Sequence, residues 1–82
     1  MNAIRRVLLH AQRGLVERAQ WRGKPNSAAF FSGAGDAPKA IRAAYRARLL
    51  ADADAIGTRG RSTRYRLRLT RYGLRLLKSR GI

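Results

Sequence analysis

Between Gly57 and Gly73 the chain reads G-T-R-G-R-S-T-R-Y-R-L-R-L-T-R-Y-G. From Thr63 to Leu69 its residues alternate strictly. Thr63, Tyr65, Leu67 and Leu69 fall on one side, and Arg64, Arg66 and Arg68 on the other. A period of two belongs to a strand with one face packed and one face wet. Gly57 and Gly60 bracket a polar loop before it, and the preceding run Ala51-Asp52-Ala53-Asp54-Ala55-Ile56 also alternates. Together they predict an arginine-tipped β-hairpin. Pairing about Gly60 sets Asp54 across from Arg66 and Asp52 across from Arg68. It also stacks Ala55, Ala53 and Ala51 on Tyr65, Leu67 and Leu69. Opposite charges placed across strands contribute roughly 0.2–1 kcal/mol each.

Such a hairpin needs a core to lean on. Eighty-two residues allow one domain and one small core, and the 45 % apolar content includes much alanine. With 19 Lys and Arg against 4 Asp and Glu, the net charge is +15. That excess opposes compaction and draws the chain to polyanions: DNA, RNA or an anionic membrane. The absence of cysteine excludes a disulfide framework and a zinc finger. No apolar run approaches the ~20 residues of a membrane span, and no signal-peptide core is visible. Amphipathic binding to a membrane surface is not expected either, because the basic residues are spread over every element, and the expected location is cytoplasmic, with the nucleoid.

In chain order, residues 3–20 are predicted to form a helix. Ile4, Val7, Leu8, Ala11, Leu15 and Ala19 follow the spacing of one apolar face, widened by Leu9 and Val16. Gly14 interrupts it, and Gly23 and Pro25 should end it. His10, the only histidine, reads as a surface or boundary residue. Asn26 and Ser27 are good caps for a short helix over Ala28-Ala29-Phe30-Phe31, whose phenylalanines read as core anchors. Gly33-Ala34-Gly35 breaks it. Asp36 should cap the next helix, with Pro38 in its first turn and Ile41, Ala44, Tyr45 and Arg48 sharing a side. Lys39, Arg42 and Arg46 make a basic stripe on another side. After the hairpin, Thr70 should cap a last helix in which Tyr72, Leu74, Leu76 and Leu77 are apolar and Arg71, Arg75 and Lys78 basic. Gly81 should end it.

The order helix, short helix, turn, helix, strand, loop, strand, helix, together with this wing-like stretch, resembles the winged helix-turn-helix of bacterial and phage transcription regulators. In MarR- and PadR-like wings, Gly-Arg precedes the alternating residues, and Leu-Thr, two residues and Gly follow them. Gly60, Arg61, Leu69, Thr70 and Gly73 fit that pattern. The six-residue step from Gly35 to Ile41 suits a helix-turn-helix. The resemblance covers roughly residues 26–78. It implies an α+β but mainly α fold, a small winged helix with three helices, a two-stranded hairpin wing and a C-terminal helix. Within a single domain of 1–82, the segments are an N-terminal helix (1–23), a helix-turn-helix (26–50), a wing (51–69) and a C-terminal helix (70–80).

The function implied is sequence-specific binding of double-stranded DNA by a small regulator, phage or bacterial. Residues 37–50 would enter the major groove, with Lys39, Arg42 and Arg46 meeting phosphates or guanine edges. The loop 58–62 would act as wing, bringing Arg59, Arg61, Arg64 and Arg66 to backbone or minor groove. A homodimer would use the first or last helix. No enzyme, cofactor or metal site is expected. Glu17, Asp36, Asp52 and Asp54 are the only carboxylates, and there is no phosphate-cradling loop, nucleophile elbow or zinc spacing. The alternatives in other classes are an RNA- or ribosome-binding basic protein and a phage-type inhibitor docking on an acidic host protein.

Overall fold

The computed structural model describes residues 2–24 and 27–79. Helix α1 (Ala3–Gln12) leads into strands β1 (Val16–Trp21) and β2 (Ala28–Ser32). Helix α2 (Pro38–Arg46), strands β3 (Leu50–Arg59) and β4 (Ser62–Leu69) and helix α3 (Arg71–Lys78) follow. The four strands form one antiparallel sheet in the order β2-β1-β4-β3. The three helices gather on one face of it. The expected winged helix, mainly α, is thus overturned: 38 % of the described residues are strand and 36 % helix. In place of the end of one helix and a second short helix, Val16–Trp21 and Ala28–Ser32 are strands paired antiparallel.

Backbone chemistry explains where the first helix stops. Gly14 takes φ +74°, a left-handed conformation that glycine adopts without steric cost. Its N–H donates to the Ala11 carbonyl, and the N–H of Leu15 reaches back to His10. These are the two bonds of a Schellman stop. The chain leaves this turn extended, so Val16 onward becomes strand. At the other end, the Asn2 side chain caps α1 by accepting from the Arg5 amide at 2.8 Å.

Helix α2 ends in the same motif, with Arg48 in the left-handed position at φ +63°. The amides of Arg48 and Leu49 bond to the carbonyls of Tyr45 and Ala44. The predicted helix over 37–50 is therefore cut at Arg46, and Leu50 already opens β3. Pro38 does sit in the first turn, but the N-cap is Ala37, and no side chain caps it. Asp36 instead lies 2.6 Å from His10 Nδ1 and accepts from Ser32 Oγ at 2.6 Å. His10 is thus a tie between α1 and the β2–α2 turn. Thr70 caps α3 as expected, its Oγ1 accepting from the Gly73 amide at 3.1 Å. Gly23 turns the chain out of β1 rather than ending a helix. The roles expected of Pro25, Asn26 and Gly81 fall outside the described residues.

Val7, Leu8, Ala11, Val16, Phe30, Ile41, Ala44, Leu50, Leu67 and Leu77 make the core between helices and sheet. Each large apolar side chain among them gains about 1.5–3 kcal/mol by burial. Of the apolar side expected on the last helix, Leu77 is buried and Leu76 packs against the core. Leu74 and Tyr72 are exposed. Gly73 is buried because α3 crosses the α2–β3 connection closely, and a Cβ there would collide with the Leu49 carbonyl. Arg5 Nη1 adds a bond to the Leu77 carbonyl at 2.8 Å. Among the described residues, no helix is long and apolar enough to cross a membrane.

The hairpin of β3 and β4 forms, and Ala55 pairs with Tyr65 as expected, but on both sides of that pair the register differs by one residue. Arg59 pairs with Ser62, Thr58 with Thr63 and Gly57 with Arg64, around a turn of Gly60 and Arg61. Two bulges follow, between Gly57 and Ala55 and between Ala55 and Asp52. Beyond them Asp52 lies opposite Leu67 and Ala51 opposite Arg68. A one-residue slip exchanges the faces of a strand. Asp52 therefore points to the helix side, Ala51 to the other, and the two predicted Asp–Arg pairs do not form. Of the loop expected over 58–62, Gly60 and Arg61 alone form the turn, and Thr58, Arg59 and Ser62 belong to the strands.

Candidate nucleic-acid interface

The register sorts side chains onto two faces. Arg18 and Gln20 share the helix side with Tyr65, Thr63, Asp52 and Phe30. Glu17, Ala19 and Trp21 lie on the opposite side, beside Arg66, Arg64 and Ser62 of β4 and Ala29 and Phe31 of β2. Among the described residues, no helix covers that second face.

On the helix side, Arg18 is a structural cation, 8 % exposed. Its Nε and Nη2 donate to Asp52 at 2.9 and 2.8 Å, and its Nη1 donates to Gln20 Oε1 at 2.6 Å. The guanidinium also lies 5.3 and 5.2 Å from the ring centres of Tyr45 and Tyr65. The hydrogen-bonded carboxylate of Asp52 raises the Arg18 pKa above its ordinary value, outweighing burial, so this cation stays charged. Burial raises the Tyr45 phenol as well, against the pull of Arg18. Each of the three guanidinium nitrogens thus donates within the fold.

The uncovered face is different. Arg64, Arg66 and Arg68 stand along β4 at every second residue, roughly 6.8 Å apart. All three are exposed, as is Arg59 on β3. Arg64 makes a long contact with Glu17 at 3.4 Å, and its guanidinium lies 4.5 Å from the centre of the Phe31 ring. Phe31 is 39 % exposed. The expectation that both phenylalanines anchor the core holds for Phe30 and fails for Phe31, because neighbours on a strand face opposite ways. Ala19 is only 3 % exposed yet lies outside the core cluster, covered by the side chains of this face. A depression of about 390 Å³ opens here, lined by Ala19, Trp21, Phe31, Gly57, Thr58, Arg59, Ser62 and Arg64. That size lies in the range of ligand clefts.

Of the residues predicted to bind DNA, the structure brings Arg59, Arg64 and Arg66 onto one surface. Arg61 sits in the turn at its end, exposed, its carbonyl accepting from the Arg22 amide at 2.7 Å. Lys39, Arg42 and Arg46 are exposed on α2, across the sheet from the others. Arg42 lies over the Phe30 ring at 5.7 Å, and with Arg46 it lines a separate helix-side cleft. A recognition helix and a wing therefore do not converge on one ligand. Arg68, Trp21 and Phe31 join the site instead. Arg68 was legible from the alternation of β4; the aromatics required knowledge of β1 and β2. Among the described residues, no cluster of three or more His, Cys, Asp or Glu could hold a metal ion.

No protein-family model, curated protein or solved structure matches this chain.

Proposed function

We propose that this chain binds nucleic acid and that the uncovered face of the sheet is its interface. The observation that carries this reading is the row Arg64, Arg66 and Arg68, joined by Arg59, on a face no helix covers. Their spacing is of the order of one nucleotide step, so each guanidinium can meet a separate phosphate. The rigid strand holds the row in line, which loop cations cannot do. The net charge of +15 adds long-range attraction. Duplex DNA, the partner expected from the sequence, falls within this reading; the insertion of residues 37–50 into a groove is not retained.

The test is a salt titration of binding, followed by fluorescence anisotropy of labelled oligonucleotides. Four neutralised phosphates give a slope of log K against log salt of about −3 to −4, and Arg66→Ala should make it shallower by just under one unit. A flat response between about 50 and 200 mM salt would instead indicate a partner held by apolar contact.

A further inference from the structure

We infer that the strand taken up by this face is single-stranded, with one base stacked on Phe31, another on Trp21, and the phosphates along the arginine row. This rests on the nucleic-acid reading above and narrows it.

The argument begins with the rings. Phe31 stands exposed on a face otherwise rich in arginine, and Trp21 is half-buried on the same side, one strand over. Trp21 lies four residues along β1 from Glu17, the partner of Phe31, or roughly 13 Å along the strand. The two rings are thus separate posts at the ends of the depression, not the jaws of one slot. A duplex hides the faces of its bases within its own stack, so exposed rings gain nothing from it. An unpaired strand offers those faces, and base–aromatic stacking is tolerant of sequence.

The floor between the posts gives a second, independent observation. Gly57 pairs with Arg64 and lines the depression. Its backbone has no left-handed φ, and a Cβ built on it meets nothing within 4 Å. Gly57 borders one of the two bulges of β3, a common place for glycine in a strand. Whatever the bulge requires, a side chain there would project into the depression, so glycine keeps it open. Ala19 forms the rest of the floor with the smallest side chain available. The charge of the surroundings selects the occupant: Arg59 and Arg64 line the same depression, and Arg66 and Arg68 extend the row. An apolar ligand would not use them, whereas a flat base with a phosphate on each side uses both features. Arg64, already stacked on Phe31, offers its own plane to a base as well.

Trp21 is the only tryptophan, so its fluorescence reports this face alone. The experiment compares three probes at low salt: a short oligo-dT strand, the same strand without bases, and a hairpin duplex. The bare strand carries the same phosphates, so any difference belongs to stacking. Oligo-dT should quench Trp21 and bind at least about fivefold tighter than the abasic strand, the lower limit for one stacking contact. Phe31→Ala should remove most of that preference and Phe31→Trp restore it. Gly57→Val should fill the depression and lower oligo-dT affinity while thermal unfolding stays unchanged or shifts upward. The inference is overturned if oligo-dT and the abasic strand bind alike, or if the duplex binds as well as oligo-dT and Phe31→Ala and Gly57→Val are both neutral. In that outcome the nucleic-acid reading stands. Failure of all three probes to bind would remove both.

Discussion

The two faces of the sheet use arginine in opposite ways. On the covered side, Arg18 is locked to Asp52 and Gln20 between two tyrosine rings, and its donors serve the fold. On the uncovered side, Arg64 is 52 % exposed in its side chain and holds Glu17 at only 3.4 Å. A buried charge is kept because it is paired; an exposed charge adds little to stability and remains available to a ligand. The difference teaches that arginine count says little until each residue has been assigned a face.

That contrast can be broken by mutation, beginning with the covered side. The largest effect expected is at Gly73, where α3 crosses the Leu49 carbonyl. Gly73→Ala forces the helix away and should cost about 3 kcal/mol in denaturant unfolding, even though alanine favours helix. The same change should leave the arginine row intact in any molecules that fold. Asp52→Ala comes next. It strands the buried Arg18 guanidinium and should cost about 2–3 kcal/mol, moderated because Asp52 is partly exposed. Replacing both partners, Arg18→Met with Asp52→Ala, should recover much of that loss. If the single change costs nothing, Arg18 does not differ from the arginines of the other face. A smaller effect of opposite sign is expected at Arg48, whose φ of +63° suits glycine. Arg48→Gly should raise stability by about 0.5–1 kcal/mol, measured by thermal melting.

The sequence made some of this legible and concealed the rest for physical reasons. Strand β4 was visible because arginine and apolar residues alternate along it, and α3 because Thr70 starts it. The stop of α1 at Gly14 was signalled, but Leu15, Val16 and Ala19 continued a helical spacing past it. Strand β1 was hidden because Arg18 occupies an inward position. Only a partner 34 residues away makes a cation acceptable there. Strand β2 offers no polar contrast: Ala28 and Phe30 face the helices, Ala29 and Phe31 face away, and both pairs look alike. The register of β3 escaped for a related reason, since bulges leave no mark in an Ala–Asp alternation. The basic stripe on α2 was legible from its spacing, and the structure leaves it exposed. Its separation from the β4 row follows from the two faces of the sheet, which the strand pairing alone fixes.

The central claim is that the uncovered face, not charge in general, holds the nucleic acid. Two triple variants test it most directly: Arg64→Ala with Arg66→Ala and Arg68→Ala, and Lys39→Ala with Arg42→Ala and Arg46→Ala. Each removes three positive charges, and all six side chains are exposed, so each should leave stability within about 1 kcal/mol of the parent. Affinities for one labelled oligonucleotide are compared at a single low salt concentration. The account predicts that the β4 triple loses at least about tenfold more affinity than the α2 triple, with a shallower salt slope. Equal losses from the two, or a larger loss from α2, would contradict it.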